Sequence, residues 1–268
     1  MSLTGNLQKM RAAIGADGTV EYTLSLGEED LTLNPLLGRR LSITWEGVIH
    51  CVACGRVTKK SFNQGYCYPC VQSLAECDLC IVSPDRCHHR AGTCRDPQWA
   101  EGHCMQPHYV YLSNTSALKV GITRATQIPT RWIDQGATQA LPIFRTATRH
   151  QAGLIEAALR EHVADRTDWR RMLKGDAEPL ELAEERERLL AACGAVCMEA
   201  AGAEPVEGEV VALRYPVLEY PQKAVSLNLD KKPVVEDVLL GIKGQYLIFA
   251  GGALNVRKFA GYRVRVAA

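Results

Sequence analysis

The run Cys51-Val-Ala-Cys54-Gly-Arg-Val-Thr-Lys-Lys-Ser-Phe-Asn-Gln-Gly-Tyr-Cys67-Tyr-Pro-Cys70 sets two Cys-x2-Cys knuckles twelve residues apart. Each knuckle is a tight turn that aims two thiolates at one point, and a pair of them supplies the four corners of a closed tetrahedral zinc site. Gly55 suits the positive-φ position after the first knuckle, while Tyr66 and Pro69 offer packing and turn geometry around the second. Disulfide pairing is the other use of such cysteines. The polar run 2–8 after Met1 reads as no secretory leader, so a reducing, cytoplasmic setting is expected, in which thiols stay free for metal. A redox role for Cys67 and Cys70 is set aside: thioredoxin-like chemistry wants that pair at a helix start in a βαβ unit, without a second knuckle in front of it.

Nine of the eleven cysteines lie between positions 51 and 104. Beyond the first four come Cys77, Cys80, Cys87, Cys94 and Cys104, with His88, His89, His103 and His108 among and after them, more than one tetrahedral site can use. In one reading Cys77-x2-Cys80 is a third knuckle closed by two later ligands, giving a second zinc. In the other, the more widely spread Cys80, Cys87, Cys94 and Cys104 form the second site, a spacing that also suits an iron–sulfur cluster. The sequence leaves both open. The whole module, 51–107, is short in regular structure and is expected to be held by its metals rather than by a core. Cys193 and Cys197 read as ordinary buried thiols on an apolar helix face.

On either side the pattern is β-rich. Residues 20–26 and 41–45 alternate apolar and polar side chains, the second run bracketed by Gly38 and Gly47. The C-terminal part, 204–268, shows strand-like runs at 209–213, 224–229, 238–242, 245–249, 254–259 and 262–266, with Lys243-Gly244 and Gly251-Gly252 as hairpin turns. Neither end carries enough strands alone, so 1–50 and 204–268 are expected to pair into one β-rich domain, for which a small barrel of oligonucleotide-binding type fits the strand count. Residues 108–176 read differently: a hairpin from 108–112 and 118–123, a helix over 129–135, and a helix over 151–164 with Leu154, Ile155, Ala158, Leu159 and Val163 on its apolar stripe. Glu156 lies off that stripe. Linkers are expected at 174–179 and 202–208, and a connecting helix within 177–203 carries Leu182, Leu189 and Leu190 on its apolar side. The fold class is therefore α+β, with the cysteine module and the αβ unit inserted into a β-rich frame.

With 268 residues, 47% of them hydrophobic, the chain can bury a sizeable core. No apolar run approaches the span of a bilayer, so no membrane association is expected. The net charge of +1 decides nothing about a polyanionic partner, because a local patch is what matters. Local basic clusters do exist, such as Arg56-Lys59-Lys60 and Arg257-Lys258-Arg263-Arg265. Walker, GxGxxG, GxSxG and HExxH motifs are absent from the sequence, which argues against nucleotide-fuelled, dinucleotide-dependent and zinc-protease chemistry.

Tyr109-Val110-Tyr111, then Lys119-Val120-Gly121, then Arg131-Trp132 in a helix resemble the GIY-YIG nuclease superfamily over roughly 109–173. The resemblance implies a divalent-metal-dependent endonuclease, with Mg²⁺ or Mn²⁺ as cofactor and DNA or RNA as partner. Tyr111 would help to deprotonate the attacking water, Gly121 would let backbone approach the phosphate, Arg131 would stabilise phosphoryl charge, and Glu156 would hold the metal. A base, a cation and a hard oxygen ligand are what phosphodiester cleavage requires. The sequence departs from the pattern at Tyr109, which replaces a glycine, and at Lys119, which replaces the second tyrosine and could depress the pKa of Tyr111 or contact phosphate. The asparagine that many members place after the glutamate has no equivalent. The whole chain also resembles an uncharacterised bacterial family of unknown function. Against the endonuclease stand two other readings, a non-catalytic DNA- or RNA-binding protein and a protein-interaction module with architectural metals. Glu156 separates the first two: a metal ligand should face a cleft beside Tyr111 and Arg131, whereas a structural glutamate should be fully paired with arginine.

Overall fold

The structure, a computed structural model, describes residues 2–268, the side chains of 193–201 excepted. Cys193 and Cys197 thus fall outside the described side chains. The strands in chain order are β1 (Ser2–Asn6), β2 (Arg11–Ile14), β3 (Val20–Leu26), β4 (Glu29–Thr32), β5 (Arg40–His50), β6 (Val57–Thr58), β7 (His108–Asn114), β8 (Leu118–Arg124), β9 (Gln139–Thr146), β10 (Glu204–Pro205), β11 (Val211–Ala212), β12 (Val234–Lys243), β13 (Tyr246–Phe249), β14 (Gly252–Asn255) and β15 (Tyr262–Ala267). The helices are α1 (Tyr68–Ser73), α2 (Pro97–His103), α3 (Thr130–Asp134), α4 (Arg149–Leu159), α5 (Trp169–Met172) and α6 (Leu182–Ala201). The class is α+β.

One sheet runs β1-β15-β5-β12-β13-β14, with β6 on β5, and so draws strands from both ends of the chain. Ser2 sits opposite Ala267 and Asn6 opposite Arg263. This sheet is open, and none of the sheets closes into a barrel. The strands that closure would need go elsewhere: β2, β3 and β4 form a separate meander, and β10 and β11 pair with β9 in the central sheet. The run 209–213 therefore yields only two paired residues, and on a different sheet from the one expected. The run 224–229 is not a strand, meeting β14 through a single bridge, Ser226 to Ala253. The run 254–259 breaks after Asn255 into a 3₁₀ turn, Val256–Phe259. Gly47 does not end β5. With φ of 81° it lies inside the strand, and the register shift opposite it, between Tyr262 and Val264, marks a bulge.

The central sheet has the order β10-β9-β7-β8, and both faces of β7 are covered. Period-two alternation sends Val110 and Leu112 to a cluster with Ile155 and Leu159 of α4 and Leu189 of α6, while Tyr111 joins the larger core with Trp132, Leu247 and Phe259. α4 begins with a capping box: the Gln151 backbone N–H donates to Thr148 Oγ1 (3.3 Å), and the Thr148 N–H donates to Gln151 Oε1 (3.0 Å). Its buried residues are Ala152, Gly153, Ile155 and Leu159, while Leu154 is exposed. The apolar stripe is rotated from its expected position because the cysteine module covers α4 at Gly153. The helix also stops at Leu159, and the chain after it lies along β8, the Val120 N–H donating to Ala164 O (2.9 Å). α6 buries Leu182 and Leu189 against α4 and β9, with Leu190 half-buried beside them. The 174–179 segment is anchored by the fully buried Lys243, whose ammonium donates to Gly175 O (3.0 Å) and pairs with Asp176 (2.7 Å). Among the described residues no helix is long and apolar enough to cross a membrane.

Candidate cysteine centres and a basic cleft

Cys51 follows the last residue of β5, Cys54 lies in the turn after it, and Cys67 and Cys70 sit at the N-cap and within α1. The strand end and the helix start thus bring both knuckles together, and one ligand atom from each cysteine lies within 4.8 Å of all the others. Cys54 Sγ and Cys67 Sγ are 3.8 Å apart, the edge expected of a tetrahedron with arms of about 2.3 Å. Gly55, at φ of 72°, donates its N–H to Cys51 O (2.9 Å) and closes the first turn. Burial works against ionisation of Cys51, yet backbone N–H groups of Cys54, Cys67 and Ala53 outweigh it and bring the thiol down to about 6. Cys70 is driven the other way, first by its hydrogen bond to Cys67. Four crowded sulfurs cannot all be thiolates without a cation among them, so this set can hold a metal ion.

The second group divides. Cys80, Cys87, Cys94 and Cys104 line one small internal cavity with Ala100 and Met105. Cys77 is not part of that wall. It lies by Asn63 and within electrostatic reach of Cys51 and Arg95, so the Cys77-x2-Cys80 knuckle does not form around this cavity. Asp78, Cys80 and His88 also bring ligand atoms within 4.8 Å of one another.

An open cleft of about 470 Å³ lies between the central sheet, the cysteine module and the terminal β part. Lys119 and Gly121 of β8, Arg131 of α3 and Glu156 of α4 all line it. Tyr111 does not. It is fully buried beneath the floor, its hydroxyl donating to Gln135 Oε1 (2.9 Å), and burial raises its pKa against the pull of Arg131. A Cβ at Gly121, its partner across the β7–β8 ladder, would lie 2.7 Å from the Tyr111 hydroxyl. Gly121 thus makes room for the tyrosine, and Tyr111 positions Arg131 and Gln135 from below, out of reach of a water in the cleft.

Lys119 is only 4% exposed, and among the described residues its ammonium has no hydrogen bond or ion pair. Burial lowers it to about 8; Arg131 adds to the fall, while Glu156 and Asp165 oppose it. Glu156 is raised, first by burial, with Arg160 and Arg149 pulling it back. It pairs with Arg160 at 3.5 Å, one helical turn on, and Arg131 forms no ion pair with it. Glu156 therefore meets both halves of the expectation in part: it faces the cleft, and it has one arginine partner.

The cleft also gathers residues outside the expected catalytic set. Arg149, at the start of α4, donates to Ile81 O (2.6 Å), and its Nε has no partner. Arg124 comes from the end of β8, Lys9 from the N-terminal part, where it pairs with Asp134, and Arg257 from the turn before β15. Among the described residues Arg124, Arg131, Arg149 and Arg257 carry no ion pair with a carboxylate. Only Arg257 fell in a basic cluster visible in the sequence. The others are scattered singly along the chain, and no local pattern could have joined them.

A match over residues 38–264 places the chain in the family described as "protein of unknown function (DUF2797)", to which it belongs. No curated protein and no solved structure matches it.

Proposed function

We propose that the chain binds the phosphodiester backbone of nucleic acid in this cleft and cleaves it in the manner of a GIY-YIG-like, divalent-metal-dependent endonuclease, with a structural zinc at Cys51, Cys54, Cys67 and Cys70. The observation that carries the reading is Lys119, a side chain only 4% exposed whose ammonium has no hydrogen bond or ion pair among the described residues, set beside Arg131 and Arg149, which pair with no carboxylate there, and lining the same cleft as Glu156. Desolvated cations without partners favour an anion that replaces their lost water. The hairpin of β7 and β8, then Arg131 on α3, then Glu156 on α4 follow one another along the chain in the order on which the resemblance rests, and this favours the reading. So does the ground around the cleft. Lys9 and Arg257 also line a neighbouring cavity of about 520 Å³ that reaches Gln64, and Gln64 borders a third with Lys59, Lys60 and Lys258 beside Asp230, cations that a strand leaving the cleft could meet. Four thiolates at tetrahedral spacing favour zinc at the first centre.

The donor set suits a weakly caged divalent ion. Glu156 offers one desolvated carboxylate, and Mg²⁺ is commonly held by one or two carboxylates together with water and substrate phosphate. Such an ion would supply positive charge to the phosphoryl oxygens. Arg131 and Arg149 orient and neutralise the phosphate from the cleft walls. Lys119, with a pKa of about 8, is mostly protonated near neutral pH and lines the cleft where Tyr111 does not, so its ammonium adds to the positive charge facing the phosphate. A non-catalytic binder is the second reading, favoured by the Glu156–Arg160 pair, which leaves the carboxylate less free for a cation.

The test is incubation of single- and double-stranded DNA and RNA with anaerobically purified protein and Mg²⁺ or Mn²⁺, beside Glu156→Ala. Cleavage by the wild type alone is expected. Retardation of nucleic acid by both proteins with cleavage by neither would select the binding role, and no retardation by either would sink both.

A further inference from the structure

The cavity walled by Cys80, Cys87, Cys94 and Cys104 is not used by the proposed cleft chemistry, and its geometry differs from that of the first cysteine centre. In the first centre all four sulfurs lie within 4.8 Å of one another; in the second, no three of the four do. A mononuclear site with arms of about 2.3 Å would hold its sulfurs closer than that and leave no free space between them. Here the four cysteines stand apart around a cavity whose wall they share with eight other residues. The rest of the wall is partly apolar, with Ala75, Ile81, Trp99, Ala100 and Met105, and partly polar, with Asp78, His88 and His89. We propose that these four cysteines hold an iron–sulfur cluster, whose several irons present their thiolate sites farther apart than one ion does.

The nearby oxygen and nitrogen ligands are already engaged. Asp78 accepts from the Leu79 N–H (2.6 Å) as an N-cap, pairs with Arg95 at 2.9 Å and meets His88 Nε2 at 3.3 Å. His88 Nδ1 lies 2.8 Å from Thr93 Oγ1. A single ion on Asp78, Cys80 and His88 would have to break the Arg95 pair and would leave Cys87, Cys94 and Cys104 unused. The cations placed around the four cysteines suit an anionic cluster: Arg149 is within electrostatic reach of Cys80 and Cys104, and Arg124 of Cys104. The loop between the first two ligands also braces the cleft. Ile81 lines both the cavity and the cleft, its carbonyl accepts from Arg149, and Pro84 and Asp85 pack on Gly153 one turn before Glu156.

Protein purified anaerobically, and then reconstituted with ferric iron, a thiol reductant and sulfide, is to be assayed for iron, acid-labile sulfide, zinc and visible charge-transfer absorption. Iron and sulfide in equal amounts, with about one zinc per chain at the first centre, are expected. Cys94→Ser and Cys87→Ser should lose iron and colour while keeping zinc, and Cys54→Ser should do the reverse. Two zincs and no sulfide after reconstitution would overturn the cluster, as would loss of the iron in Cys77→Ser but not in Cys94→Ser. The wild-type stoichiometry decides even where a variant does not fold. It is also independent of whether the cleft cleaves anything.

Discussion

At the scale of single residues, the cleft is built against its own stability. Lys119 is ionised at neutral pH only at the cost of burial, and among the described residues no hydrogen bond repays it. A lowered lysine pKa fixes the sign. Below about 8 the residue is charged in both the folded and unfolded states and the fold carries the full penalty. Between about 8 and the ordinary value of 10.5 the unfolded chain binds the proton that the folded chain has lost, so this contribution makes stability rise with pH. Lys119→Met, similar in shape and uncharged, should therefore raise the melting temperature at pH 7, by an amount corresponding to as much as ~3 kcal/mol. The gain should fade as the pH passes from about 8 to 10.5. The same variant should bind nucleic acid more weakly, a trade of function for stability that thermal melts across pH and a binding titration would show together. A variant that melts no higher at pH 7 would mean that the ammonium is better solvated than its burial implies.

At the scale of elements, the joint that matters is α4 against the loop holding Pro84. A Cβ on Gly153 would come 2.5 Å from Pro84 Cβ and 2.7 Å from the Asp85 backbone nitrogen, so the helix and the cysteine module meet with no spare room. Gly153→Ala should cost about 1–3 kcal/mol and tilt Glu156 and Arg149 out of register, weakening binding beyond what stability alone predicts. Gly175→Ala, with nothing within 4 Å of its Cβ, should stay within about 0.5 kcal/mol. Denaturant titration with a binding assay on both variants separates the two effects. This joint also shows what the sequence could and could not tell. The knuckles at Cys51 and Cys67, the hairpin of β7 and β8 and the helix bearing Glu156 were legible because each is a local pattern of spacing or period. The burial of Gly153, the exposure of Leu154 and the pairing of Val211 with β9 were not, because each depends on which distant element arrives to cover it. Tyr111 illustrates the same limit within the site. The tyrosine expected from the sequence to face a reacting water lies under the floor, with Gly121 across the ladder leaving space for its ring.

At the scale of the whole molecule, the cleft is a junction. Lys9 and Arg257 come from the two ends of the chain, Ile81 and Pro84 from the cysteine module, and Lys119, Arg131 and Glu156 from the central layer. The net charge of +1 hides this, since the acids elsewhere balance the cations focused here. If phosphate is the ligand, affinity must depend on salt through counterion release. Four unpaired arginines, Arg124, Arg131, Arg149 and Arg257, predict a slope of log K against log salt near −3 for a single strand, at about −0.7 per phosphate neutralised. Arg257→Gln should make that slope shallower by roughly 0.7 and weaken binding evenly across sequences, because a phosphate contact carries no base information. Arg257 is held by the terminal sheet rather than the central layer, so its effect would also show that the β-rich part contributes to the site instead of merely framing it. Titrations of a labelled single strand at several salt concentrations, wild type against Arg257→Gln, make the measurement. A flat dependence in the wild type would mean that the cleft recognises its ligand by something other than phosphate charge.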